Sequence, residues 1–178
     1  DGLADTADGL GGGLTREQAL EIMKDSRIGT YGSAALLLAM LSKLSLLVLL
    51  YQIDLAWSVV GLFAAHVTSR LMPLFLIRAM AHVGDTQQSK SKPLADTIES
   101  STLLIGLLWW VTAIVLAAYF VPTIPLLMGT LGAVMATVCM AWRLHQRLQG
   151  FTGDGLGATQ QISEIGFYLG LVIAAGIV

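Results

Sequence analysis

Three aspartates open the chain, Asp1, Asp5 and Asp8, spaced four and three residues apart. On a helix that spacing places all three carboxylates on one face, within reach of a common ion. Like charges held so close repel, and a hard divalent cation turns that repulsion into binding. Magnesium characteristically takes one or two carboxylates and completes its shell with substrate phosphates and water. The alternating acids of a calcium loop are absent, so the pattern points to Mg2+ or Mn2+. A solvated acidic stretch or a set of helix caps would use the same residues. The surrounding glycines and the adjacent apolar runs favour metal-assisted phosphoryl transfer at a membrane face.

Two further segments carry groups that suit phosphate. In KDSRIGTYG, residues 24–32, the charged side chains of Lys24, Asp25 and Arg27 and the hydroxyl of Ser26 precede a turn built on Gly29. Backbone N–H groups at a helix start, with nearby ammonium and guanidinium groups, suit a diphosphate; an interfacial anchor is the plainer alternative. In GFTGDGLGATQQISE, residues 150–164, Thr152, Gly153, Asp154 and Thr159 offer a second backbone cradle, with Asp154 as a further metal or hydroxyl ligand. An ordinary cap and glycine turn fits there too. The tetrapeptide Asp-Gly-Leu-Gly occurs at 8–11 and again at 154–157, an echo rather than a repeat.

Arg70 lies deep in an apolar run, beside His66, Ser69 and Pro73. A guanidinium there is costly and calls for a partner, so Arg70 is expected to bind substrate phosphate or to pair with an aspartate of the first segment, unless it snorkels. Lys43, also inside an apolar run, is less telling because its stem can reach water. Lys90, Lys92, Asp96 and Glu99 read as a solvated mixed-charge loop.

The elements that must position these groups are helices in a bilayer. Hydrophobic residues make up 55% of the 178 and charged residues only 12%, too apolar for an ordinary soluble domain. The net charge of -2 provides no basic field, which argues against nucleic acid as a partner. Crossing a bilayer as a helix takes about 20 apolar residues, and five stretches qualify: 33–51, 55–81, 102–121, 124–142 and 162–178. Tight turns at 52–54 and 122–125 alternate with long polar loops at 82–101 and 143–161. Of the ten Lys and Arg residues, all but Lys43 and Arg70 fall on the side of the long loops, which the positive-inside rule makes cytoplasmic. Thr15 followed by Glu17 and Gln18 marks a helix start, and Ala19, Leu20, Ile22 and Met23 predict a short amphipathic helix along the membrane surface. Cys139, the single cysteine, reads as a small buried apolar residue and excludes a disulfide framework. The expected fold is therefore all-α: a polytopic membrane bundle of about five transmembrane helices plus an interfacial helix, in one domain. The chain opens at Asp1 without a basic-then-apolar leader and reads as a possible fragment.

DGLADTADGLGGG at 1–13, EIMKDSRIGTYG at 21–32, the Ser69-Arg70 pair and TGDGLGA at 152–158 together resemble the cobalamin synthase family, the adenosylcobinamide-GDP ribazoletransferases. The likeness is ordered and extends over nearly the whole chain. It implies a bacterial or archaeal inner-membrane enzyme, working on the cytoplasmic face, of the last steps of vitamin B12 assembly. Such an enzyme joins α-ribazole or its 5′-phosphate to adenosylcobinamide-GDP, releases GMP and uses Mg2+. Members of that family carry a hydrophobic region ahead of this first motif, so 1–178 is expected to be an N-terminally short catalytic domain. Mapped onto it, Asp1, Asp5 and Asp8, with Asp154, hold Mg2+ on the diphosphate. Lys24, Arg27 and Arg70 take nonbridging oxygens, and Asp8 accepts the proton of the attacking hydroxyl. Association into oligomers is compatible with this reading. A CDP-alcohol phosphotransferase is the nearest rival; the Arg that it places soon after its first Asp-Gly pair is absent here, where the fourth residue after Asp1 is Asp5. A transporter, with Arg70 and an acidic rim selecting its substrate, is the non-enzymatic rival.

Overall fold

The computed structural model describes residues 1–83 and 98–176, and these form seven helices. They are α1 (Gly2–Gly12), α2 (Arg16–Lys24), α3 (Thr30–Ile53), α4 (Leu55–Ala79), α5 (Ser100–Ala117), α6 (Thr123–Leu148) and α7 (Gly153–Ala174). Lys90, Lys92 and Asp96 lie outside the described residues.

Four helices, α3 to α6, are long and apolar enough to cross a membrane. Their outer faces are apolar and unburied: only 11% of the most apolar window of α3 is buried, and 17% of that of α5. An exposed surface of Leu, Val, Ile and Trp on this scale is what lipid covers, and the chain reads as an integral membrane protein.

The fifth expected stretch, 162–178, takes a different place. Among the described residues it belongs to α7, which starts nine residues earlier and carries Gln160, Gln161, Ser163 and Glu164. These polar residues keep α7 out of the set of four spans. Instead α7 forms the middle of the bundle, packing against α1, α3, α4 and α6, with Phe167, Tyr168, Leu171 and Val172 fully buried. Its closest partner is α6. A Cβ at Gly132 would strike the backbone of Gly166, and one at Gly170 the backbone of Met128, so only glycine admits this approach.

The capping box predicted at Thr15 forms. The Thr15 hydroxyl accepts from the Gln18 N–H at 3.3 Å and Gln18 Oε1 accepts from the Thr15 N–H at 3.4 Å. The buried stripe of α2, Ala19 and Met23, lies on protein, against Leu76, Leu144 and Leu148. The helix is thus a strut across the ends of α4 and α6, and not simply an amphipath resting on lipid. Cys139 departs from expectation: it is exposed on the outer face of α6, because the buried positions of that helix are taken by Ala133 and Thr137 and by Leu144.

Candidate active site

α1 lies across one end of the bundle, touching α2, α3 and α7. Arg147 of α6 anchors its far end, donating to the carbonyls of Leu10 at 2.9 Å and Gly13 at 2.5 Å. Reciprocally, Arg16 Nε donates to the last helical carbonyl of α6, Leu148, at 2.7 Å. A cation at each helix end satisfies carbonyls that have no partner within their own helix. Two residues counted as topology markers therefore also staple α1 and α2 to α6.

The near end of α1 meets the start of α7. A Cβ at Gly2 would lie 2.9 Å from the Asp154 backbone, and one at Gly157 would lie 3.8 Å from Gly2 Cα. Two helix N-termini, each with unsatisfied N–H groups and a positive dipole end, thus share one corner. Thr152 caps α7 by accepting from the Gly155 N–H at 3.0 Å. A two-stranded contact at Phe151, whose N–H donates to the Ala81 carbonyl and whose carbonyl accepts from the Val83 N–H, both at 2.9 Å, holds this turn to the end of α4.

Asp5 and Asp154 face this corner. Burial, and then the charge of Asp5, hold the Asp154 carboxyl above its ordinary value of 3.8. A pair of carboxylates that raises the proton affinity of one member attracts a cation equally well. Among the described residues no three His, Cys, Asp or Glu side chains are placed to hold a metal by themselves. Two carboxylates beside helix N-termini nevertheless fit magnesium, which needs only one or two from the protein when phosphate supplies the rest.

Asp8 is employed differently. It is buried at 8% exposure, and its two oxygens accept the N–H groups of Gly29 at 2.7 Å and Gly32 at 2.8 Å. Gly29 is the N-cap of α3, so Asp8 caps a helix 21 residues away in sequence. The backbone cradle expected for substrate phosphate at 24–32 is filled by the protein's own carboxylate. Asp8 is thereby engaged as a cap, and not free as the expected metal ligand and proton acceptor. A Cβ at Gly29 or Gly32 would collide with that carboxylate, which is why both are glycine.

Arg27 is 87% exposed and pairs with Asp25 at 2.7 Å, which holds the Asp25 carboxyl down at about 2. Lys24 and Ser26 are exposed beside them. Arg70 makes its hydrogen bonds within α4, to the carbonyl and Nδ1 of His66, both at 3.1 Å; its expected pairing with an aspartate of α1 does not form.

Sequence reading passed over an ion pair inside the bundle. Lys43 Nζ of α3 lies 2.9 Å from Glu164 Oε2 and donates to Gln161 Oε1 at 2.7 Å. Tyr168 donates to Glu164 Oε1 at 3.1 Å, and His66 Nδ1 stands 3.8 Å from Oε2. The signal was present: Lys43 is 13 residues into α3, Glu164 is 11 into α7 and His66 is 13 from the end of α4. At 1.5 Å per residue all three sit about 16–20 Å from the same end of the bundle.

The family model for cobalamin-5-phosphate synthase matches residues 1–172. Curated relatives include the adenosylcobinamide-GDP ribazoletransferase of a Polaromonas species, 46% identical over 98% of this chain and 66% of its own length. That of Albidiferax ferrireducens is 49% identical over 97% of this chain and 67% of its own, and that of Vibrio cholerae is 46% identical over 95% and 62%. The chain thus spans about two thirds of the length of these relatives. No solved structure matches it. With the Asp-rich first helix, the capped turn at Gly29 and the Thr152–Asp154 corner all inside the matched region, the chain belongs to the cobalamin-5-phosphate synthase family.

Proposed function

We propose that the protein transfers the phosphocobinamide of adenosylcobinamide-GDP to a hydroxyl of α-ribazole, or of its 5′-phosphate, with release of GMP. The observation that carries this reading is the corner where the starts of α1 and α7 meet beside Asp5 and Asp154, in a chain whose relatives bear the name of that transferase. The ribazole oxygen forms a bond to the phosphorus nearer cobinamide. The bond from that phosphorus to the bridging oxygen breaks, and its electron pair leaves with GMP.

Asp5 and Asp154 would hold Mg2+, and the chemistry the ion supplies when bound is charge neutralisation on the phosphoryl oxygens. Backbone N–H groups at Gly2 and Gly153 face the diphosphate with the positive ends of two helices. Lys24 and Arg27, exposed at the entrance to α3, receive the incoming anion, and Asp25 fixes the Arg27 fork. Asp1 is the carboxylate best placed to accept the hydroxyl proton, since it borders the cavity between α1, α3 and α7. Asp8 positions α3 rather than reacting. Arg70, tied to His66, belongs to the polar layer within the bundle and not to the phosphate site. The site is read as cytoplasmic, on a bacterial inner membrane, from the gathering of basic residues at that end.

The test is GMP release by the purified protein in liposomes, which should require both substrates and a divalent ion. Asp5→Asn should lower turnover by about 100-fold or more while membrane insertion is unchanged, the size of loss typical of removing a group that stabilises developing charge. Full turnover in the presence of a chelator would overturn the assignment.

A further inference from the structure

A cavity of about 250 Å3 runs between α1, α3 and α7, bordered by Asp1 at the phosphate corner and by Lys43 and Gln161 at its inner end. Its long wall is α3, from Leu36 through Ala39 and Met40 to Lys43, two turns or about 10 Å of helix. The α3 wall is apolar between Asp1 and Lys43, and α7 adds Gln160 and Gln161 to the lining. The inner end is built with care: Lys43 is held by Gln161 at 2.7 Å and by Glu164 at 2.9 Å, and the Glu164 side chain is only 3% exposed. Tyr168 occupies the other oxygen of Glu164. A buried carboxylate supplied with this many partners fixes the Lys43 side chain at the inner end of the cavity. Lys carries three N–H donors, and Gln161 and Glu164 account for two, which leaves one for a ligand in the cavity.

We infer that this cavity is the pocket of the acceptor nucleoside. A flat, largely apolar heterocycle lies along Leu36, Ala39 and Met40, its ring-nitrogen acceptor meets Lys43 and Gln161, and its ribose emerges at Asp1. The inference rests on the transferase reading and deepens it. Size decides between the two reactants: at about 250 Å3 the volume falls just below the range of about 300–1,000 Å3 typical of small-molecule sites, room for one nucleoside and far too little for a corrin macrocycle with its nucleotide. Polarity decides the orientation. Only one end adjoins the Asp5–Asp154 corner, so the reacting hydroxyl must lie there and the base at Lys43.

Met40 and Gln161 line the cavity away from the phosphate corner. Met40 is 64% exposed, so Met40→Trp narrows the cavity without forcing the helices apart, and Gln161→Leu removes one polar group from its floor. In liposomes each variant should raise the KM for α-ribazole by at least about tenfold, the discrimination a filled or unpaired pocket position provides, while the KM for adenosylcobinamide-GDP stays within about twofold. Nucleoside binding without the second substrate, followed by equilibrium dialysis against protein in nanodiscs, should weaken in parallel. Equal rises in both KM values, a rise for the corrinoid alone, or unchanged KM for the nucleoside in an active variant would overturn the pocket and leave the transferase standing. A wild-type protein that binds no α-ribazole would overturn the pocket directly. Absence of GMP release from the wild type would remove the transferase reading and this inference with it.

Discussion

Aspartates of one type have three fates in this protein, and environment decides among them. Asp8 is buried with two backbone donors, Asp25 is exposed and bound by Arg27, and Asp154 is half-buried at a helix start with Asp5 acting on it. Charge-assisted bonds such as those of Asp8 contribute about 1.5–3 kcal/mol each, so Asp8 ranks among the main ties between α1 and α3. For Asp154 the sign is the opposite of that for a paired acid. Its carboxyl is raised in the folded protein, so the stability it contributes is fully present below the unfolded value of 3.8 and is lost as the pH climbs through the folded value. At neutral pH the ionised group destabilises the apo protein. Asp154→Asn should therefore raise Tm in the presence of a chelator and, on the proposed metal site, abolish the Tm increase expected of Mg2+ in the wild type. Thermal melts at pH 7 with and without Mg2+ check this, and a lower Tm of the variant in chelator would contradict it.

At the scale of elements, α7 is the organising helix. Glycines at 132, 166 and 170 let it lie against α6 at backbone distance, while Glu164 draws in α3 through Lys43. Breaking a buried ion pair leaves one charge without a partner and costs about 3–5 kcal/mol, whereas replacing both ends with apolar groups can be neutral. Lys43→Met alone should therefore destabilise the detergent-solubilised protein strongly. Lys43→Met with Glu164→Met should recover most of the loss. Unfolding followed by size-exclusion behaviour across temperature measures the coupling, and additive losses in the double variant would show that the contact is not a pair. The sequence held a hint of this element, since Lys43 and Glu164 are opposite charges in separate apolar runs. Which charges meet depends on helix order and register, and composition says nothing about those.

For the whole molecule, polarity is segregated along the bundle axis. α1, α2 and the corner at Thr152 occupy one end, and the turn between α3 and α4 lies at the other. Cys139 tests how the bundle sits in lipid. It is exposed on α6 nine residues before Leu148, about 13 Å along the helix from that end. In intact membranes a water-soluble maleimide should leave it unlabelled, and it should react once detergent strips the lipid. Ready labelling in vesicles would place that face of α6 in water.

The apolar runs, the basic residues confined to one side, the Thr15–Gln18 cap and the family motifs were all determined by the sequence alone, because each depends on residues close together in the chain or on bulk polarity. Tertiary structure decided the rest. It spent Asp8 on the start of α3, turned Cys139 outward, drew α7 into the middle of the bundle and brought Lys43 to Glu164, contacts spanning 21 to 121 residues. A carboxylate looks the same in a sequence whether it waits for a metal, a guanidinium or a helix end. Only the partners that folding places beside it select one of these.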